Sequence, residues 1–175
     1  MSTIELIKGS CVDQNTDAIV NAANKYLLAG SGLCGEIFKR AGLRELTEAC
    51  SQIQTPLNDG AAVITEAINI NNTKYIIHAV GPDFGLKPKA FNELYQAYYN
   101  SLNLLKANNL HSISFPLISS GIYGGLLDKP ALESAKQCLL AYNTFTKENE
   151  DYDIHVILCA YTDNEYKEVF KLIKK

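Results

Sequence analysis

The chain is missing several features, and each absence removes a class of function. No apolar run approaches the ~20 residues that span a bilayer, so no membrane partner is expected. The first residues, Met1 to Lys8, carry no apolar export signal and read directly as a strand, so a cytoplasmic, intracellular setting is expected. Positive charge is not in excess: 16 Lys+Arg against 19 Asp+Glu leave a net charge of -3, which argues against an extended nucleic-acid surface. A Cys-X-X-Cys pair is missing too. The cysteines, Cys11, Cys34, Cys50, Cys138 and Cys159, are scattered and odd in number. That pattern fits a reducing compartment and not a zinc knuckle; no metal and no cofactor is expected. No internal repeat, low-complexity tract or linker interrupts the 175 residues. With 47% hydrophobic and 20% charged residues they read as one domain, 1–175.

What is present is an alternation of strands and helices. Strand patterns fall at Ile4 to Lys8, Asp17 to Val20, Ala61 to Ala67, Lys74 to Val80, Ser112 to Ile118 and Ile154 to Tyr161. Helical patterns fall at Leu33 to Arg40, Arg44 to Gln54, Ala90 to Asn108, Pro130 to Phe145, and from a Thr162-Asp163 cap to Lys174. Continuously apolar strands separated by helices imply a mostly parallel or mixed sheet covered on both faces. Ligands in such folds bind outside the carboxyl ends of the strands. The polar and glycine-rich segments fall there, at Asn21 to Gly35, Gly81 to Gly85 and Ser119 to Gly125.

The first of these segments leaves a buried strand with Asn21 and Asn24 at its tip, passes a glycine-rich turn and opens a helix. Backbone N–H groups at a helix start form an anion site, and an amide meets sugar hydroxyls as donor and acceptor without bringing charge. The pair suits a phosphorylated ribose. A second segment, Pro116-Leu-Ile-Ser-Ser-Gly-Ile-Tyr-Gly-Gly125, also lies between a strand and a helix, and Ser119 and Ser120 add hydroxyls. One glycine loop alone is most often only a turn. Two at neighbouring strand ends can clasp a diphosphate. Gly30-Ser-Gly-Leu-Cys-Gly35 also fits the GxGxxG pattern of dinucleotide enzymes, but Asn21 to Ala29 separates it from its strand. The acidic residue that should end the next strand is missing as well. A nicotinamide dinucleotide oxidoreductase is therefore the remote alternative.

Taken together, Asp17-Ala-Ile-Val-Asn-Ala-Ala-Asn24, Gly30-Ser-Gly-Leu-Cys-Gly35, Ile77-His-Ala-Val-Gly-Pro82 and Pro116-Leu-Ile-Ser-Ser-Gly-Ile-Tyr-Gly124 resemble the macrodomain, a module that binds ADP-ribose. The resemblance covers nearly the whole chain. It implies a three-layer α/β/α sandwich around a mixed, largely parallel central sheet. It implies ligand contacts from Ser10, Cys11, Asn21, Asn24, Gly32, Leu33, Cys34 and Pro116, and from Ser119, Ser120, Gly121, Ile122, Tyr123, Gly124 and Tyr161. In that reading Asn24 holds the distal ribose and is the one catalytic candidate. Gly32 to Cys34 line the near wall. Ser119 to Gly124 wrap the diphosphate, Tyr123 covers the distal ribose, and Tyr161 stacks on adenine.

The chain also departs from the family pattern. Many hydrolases of the family place an aspartate where Cys34 stands, and the family's adenine-contacting aspartate is replaced by Ser10, with Asp13 the nearby substitute. A cysteine in a glycine turn at a helix start is expected to lean toward thiolate. His78 reads as a core histidine, and His111 and His155 fall at strand starts, away from the expected site. The implied function is ADP-ribose binding with hydrolysis of ADP-ribosyl adducts on protein, on nucleic acid, or in O-acetyl-ADP-ribose. The alternative is a non-catalytic reader of ADP-ribosylated partners.

Overall fold

The computed structural model describes residues 1–173. Six strands form one sheet in the order β1-β6-β5-β2-β4-β3. They are β1 (Thr3–Lys8), β2 (Ala18–Ala23), β3 (Ala62–Glu66), β4 (Tyr75–Val80), β5 (Ser112–Phe115) and β6 (His155–Ala160). Every neighbouring pair is parallel except β3 with β4, which is antiparallel at the edge. The helices are α1 (Gly32–Ala41), α2 (Leu43–Ser51), α3 (Phe91–Ala107), α4 (Pro130–Glu148) and α5 (Asp163–Ile173).

Strand composition follows position. The inner strands β2, β4, β5 and β6 are buried almost end to end, as the apolar runs require. Edge strand β1 buries only Leu6, and β3 buries nothing fully. The sheet's two faces then sort by period two. Ala18 and Val20 of β2, Ile77 and Ala79 of β4, and Val156 and Leu158 of β6 meet Leu94, Tyr98 and Leu102 of α3 and Ala135, Cys138 and Phe145 of α4. Ile19 and Ala23 of β2, with Ile76 and Val80 of β4, meet Ile37 and Phe38 of α1 and Leu46 and Cys50 of α2. Truncating the fully buried Phe38 to alanine is expected to cost about 3–5 kcal/mol. The expected α/β/α layering is thus the architecture observed.

The element ends differ from expectation in informative ways. The α1 helix stops at Gly42, whose backbone sits at φ 108 and whose N–H bonds Phe38 O at 3.0 Å. Gly42 then accepts from Leu46 N at 2.9 Å and so opens α2. That second helix ends at Ser51 rather than Gln54, where Gln52 and Ile53 tighten into shorter turns. The α4 helix runs past Phe145 to Glu148, so the charged stretch 147–153 begins as helix rather than loop. The expected end of α5 at Lys174 lies outside the described residues. The β5 strand was expected to reach Ile118 but ends at Phe115. Pro116 has no N–H for the ladder, and side chains serve the next backbone groups. Tyr98 Oη accepts from Ile118 N at 2.9 Å, and Ser134 Oγ donates to Ile118 O at 2.6 Å.

Candidate functional site

The parallel strands place their carboxyl ends on one edge, where a cleft of about 620 Å³ opens. That size suits a small-molecule ligand. Its walls come from the ends of β1, β6, β5 and β2. Gly9, Ser10, Cys11 and Asp13 follow β1, and Tyr161, Thr162 and Glu165 follow β6. Pro116, Leu117, Ser120 and Gly121 follow β5, Ala22 belongs to β2, and Gly32, Leu33, Glu36 and Arg40 belong to α1.

Several residues proposed from sequence therefore share this cleft: Ser10, Cys11, Gly32, Leu33, Pro116, Ser120, Gly121 and Tyr161. Tyr161 is 73% exposed and presents a free ring at one end. The others named from sequence stand behind or beside the lining. Asn21, expected at the strand tip, is buried within β2 on the α1/α2 face, with Nδ2 3.1 Å from His78 Nδ1. Asn24 spends its amide on its own loop. Oδ1 accepts from Tyr26 N and Leu28 N, each at 3.1 Å, and Nδ2 donates to Leu28 O at 2.8 Å. One N–H of that amide remains free. Ser119 is buried at φ 59 and donates to Pro82 O at 2.7 Å. Ile122 and Tyr123 are exposed on the loop tip, and Gly124 is packed against Pro130.

The cleft's electrostatics are set mostly by the backbone. Arg40 is its one cation among the described residues and is already engaged, with Nη1 2.6 Å from Asp13 Oδ1 and Nε 2.8 Å from Glu36 Oε2. An anion entering here would meet backbone N–H groups instead. The α1 helix offers them: Ser31 makes no side-chain cap, and its first turn holds no acidic residue. Gly35 lets this turn close, because a Cβ there would lie 2.6 Å from Gly30 O. Across the cleft, Gly125 at φ 57 packs so tightly on the segment after β4 that a Cβ would lie 2.5 Å from Gly85 N.

Cys34 does not behave as its loop position suggested. It is 9% exposed, with Sγ 3.7 Å from Leu28 O. Burial raises its thiol above the ordinary range, against the opposing hydrogen bonds from Asn21 and Gly30. Desolvation outweighs those hydrogen bonds, so the thiol is raised despite its place at a helix start. His78 is a fully buried core histidine, hydrogen-bonded between Asn21 and Thr65 Oγ1, the latter at 2.9 Å. Burial pushes its pKa down to about 4. His111 bonds Asp153 O at 2.7 Å and His155 opens β6, both at the opposite edge of the sheet.

Sequence reading missed Glu36, Arg40 and Glu165. The signals were present. Gly32, Glu36 and Arg40 fall at i, i+4 and i+8, one helix face. Thr162 and Glu165 form the T-x-x-E capping box, with Thr162 N bonding Glu165 Oε1 at 2.9 Å and Glu165 N bonding Thr162 Oγ1 at 3.1 Å.

Fold and cleft together define a ligand-binding α/β sandwich with its site at the strand ends, and comparison with known proteins gives the family. The macro domain family model matches residues 20–132. An O-acetyl-ADP-ribose deacetylase of Citrobacter rodentium is 44% identical over 127 residues, covering 70% of this chain and 71% of that protein. The ADP-ribose glycohydrolase MACROD1 of Mus musculus is 35% identical over 164 residues, covering 93% of this chain and 49% of that protein. An Oceanobacillus iheyensis macrodomain solved with ADP superposes with a TM-score of 0.86 at 33% identity, covering 99% of this chain and 90% of that one. The chain belongs to the macro domain family.

Proposed function

We propose that the cleft binds one ADP-ribose and that the chain hydrolyses ADP-ribosyl adducts. The observation that carries this is the cleft's layout. Along the strand ends lie, in the order of the sheet, the exposed ring of Tyr161 after β6, the serine-glycine loop after β5, and the uncapped start of α1 after β2. Adenine stacks on Tyr161. The diphosphate lies between the first turn of α1 and the Ser119 to Gly124 loop, held by backbone donors because Arg40 is occupied. The distal ribose reaches Asn24, whose free N–H contacts a hydroxyl, with Cys34 behind and Tyr123 above.

Relatives named as a deacetylase of O-acetyl-ADP-ribose and as an ADP-ribose glycohydrolase support hydrolysis. In this chain no carboxylate stands at Cys34, and burial raises its thiol rather than lowering it. The attacking water is therefore positioned by the ligand's own phosphate and by Asn24. Substrates of this reading are ADP-ribosylated protein or nucleic acid, or O-acetyl-ADP-ribose.

That missing carboxylate also favours the second reading, a reader that binds ADP-ribosylated partners without turnover. Incubation with a mono-ADP-ribosylated protein, an ADP-ribosylated nucleic-acid end and O-acetyl-ADP-ribose separates the two. Release of ADP-ribose from any of them supports the hydrolase. Tight binding with every adduct intact makes the chain a reader.

A further inference from the structure

Two helices open onto the cleft, and their first turns differ. The α1 helix leaves its first-turn donors uncapped. The α5 helix caps part of its own: Thr162 and Glu165 form a reciprocal cap, and Asp163 and Glu165 place acid in the first turn. Only the first is suited to an anion.

Glu165 also lines the cleft, at a position fixed by its neighbours. Tyr161 lies just before it in the chain. Its Oε2 is 3.5 Å from Ser120 Oγ, whose own proton goes to Leu117 O at 2.6 Å. The cap holds Oε1, so Oε2 keeps unused acceptor capacity between the exposed ring and the serine-glycine loop. In ADP-ribose the group between adenine and diphosphate is the adenosine ribose.

Resting on the ADP-ribose reading above, we propose that Glu165 is a specificity-determining residue. Its Oε2 accepts the 2′-hydroxyl of the adenosine ribose, and its charge rejects ligands that carry a phosphate there. A carboxylate satisfies a hydroxyl donor but repels a phosphate. Among the described residues the one cation lining the cleft, Arg40, is already paired with Asp13 and Glu36, so no free guanidinium there receives a second anion. The chain thus takes the ADP-ribose unit whose adenosine 2′-hydroxyl is free, the form derived from NAD rather than from NADP.

Calorimetric titration of the full chain with ADP-ribose, 2′-phospho-ADP-ribose and 2′-deoxy-ADP-ribose tests this, with melting curves to show that each variant is folded. The parent is expected to prefer ADP-ribose over the 2′-phosphorylated form by about tenfold or more. Glu165→Gln keeps an acceptor for the cap and removes the charge, and should narrow that gap to about threefold. Loss of the 2′-hydroxyl should weaken the parent by about fivefold or more and leave Glu165→Ala nearly unchanged. Equal affinity of the parent for the first two ligands overturns the proposal, as do the same ratios in parent and variants. ADP-ribose binding with unchanged ratios overturns this inference alone; no ADP-ribose binding by a folded parent overturns the function beneath it as well.

Discussion

The two loops that face each other across the cleft are held in opposite ways. The loop after β5 is fastened to the buried core. Tyr98 Oη accepts from Ile118 N and is 2.6 Å from Ser134 Oγ, and Ser119 donates to Pro82 O. Phe84 N bonds Tyr123 O at 2.8 Å, so even the tip is tied to the segment after β4. The loop after β2 is anchored where Leu27 is buried against the α1/α2 core and where Leu57 N bonds Lys25 O at 2.8 Å, but its tip is held mainly by itself. Asn24 bonds Tyr26 and Leu28, Gly35 N bonds Ser31 O at 3.3 Å, and Ala29 to Gly32 are exposed. In the proposed ADP-ribose reading, the loop after β5 is the diphosphate cradle, and such a cradle gains from being fixed before the ligand arrives, since ordering it on binding would cost affinity. In the same reading, the wall near the distal ribose must admit whatever that ribose is attached to, and a loop whose tip is held only by its own bonds suits that task.

The largest effect expected from breaking this arrangement is at the fixed loop. A Cβ on Gly121 meets nothing within 4 Å, so Gly121→Glu sends a charged side chain into open cleft space. ADP-ribose affinity should fall about a thousandfold or more, roughly 4 kcal/mol, with the melting temperature little changed. Unaltered affinity in the folded variant would remove the diphosphate from this loop.

Acid tests the other side, because the Asn21–His78–Thr65 row lies in the core under the first loop's strand. His78 titrates at about 4 in the fold, against an ordinary 6.5. The unfolded chain takes up this proton first. Its contribution is therefore complete above pH 6.5 and is lost as pH falls toward 4, roughly 3 kcal/mol in all. Urea unfolding at pH 7 and pH 5 should show the loss, and His78→Gln should reduce the difference. An identical pH dependence in parent and variant would contradict it.

The contrast in anchoring predicts unequal outcomes for two further changes. Tyr98→Phe strips partners from buried Ile118 N and Ser134 and should cost about 1–3 kcal/mol of global stability in denaturant titrations. Asn24→Ala should leave global stability within about 0.5 kcal/mol while weakening ADP-ribose binding, since it loosens only its own exposed loop. Equal destabilisation by both would erase the distinction. The smallest effect belongs to Cys34→Ala, which should keep binding and any turnover within about tenfold, roughly 1.4 kcal/mol. A far larger loss of turnover at unchanged affinity would make the thiol catalytic.

Much of the fold was legible because the inner strands are mostly apolar and α1 carries its own stop at Gly42. The end of β5 was not, because the groups that replace its ladder come from Tyr98 and Ser134, on two other helices. Of the site, the glycine loops and Tyr161 announced themselves locally. The placement of Asn21 depended on its partner on β4, and the state of Cys34 on desolvation, which no local motif displays. Glu36, Arg40 and Glu165 were overlooked although helix spacing and a capping box marked them. They read as ordinary surface charge until the strand ends were brought together.

The most direct test of the central claim is a calorimetric titration of the folded chain with ADP-ribose, compared with AMP and with Tyr161→Ala. One saturable site per chain is expected, with AMP binding more weakly because it lacks the distal ribose and one phosphate. Tyr161→Ala should lose about 1–3 kcal/mol of stacking. A folded parent that gives no saturable ADP-ribose binding, or that binds AMP as tightly as ADP-ribose, would contradict the account.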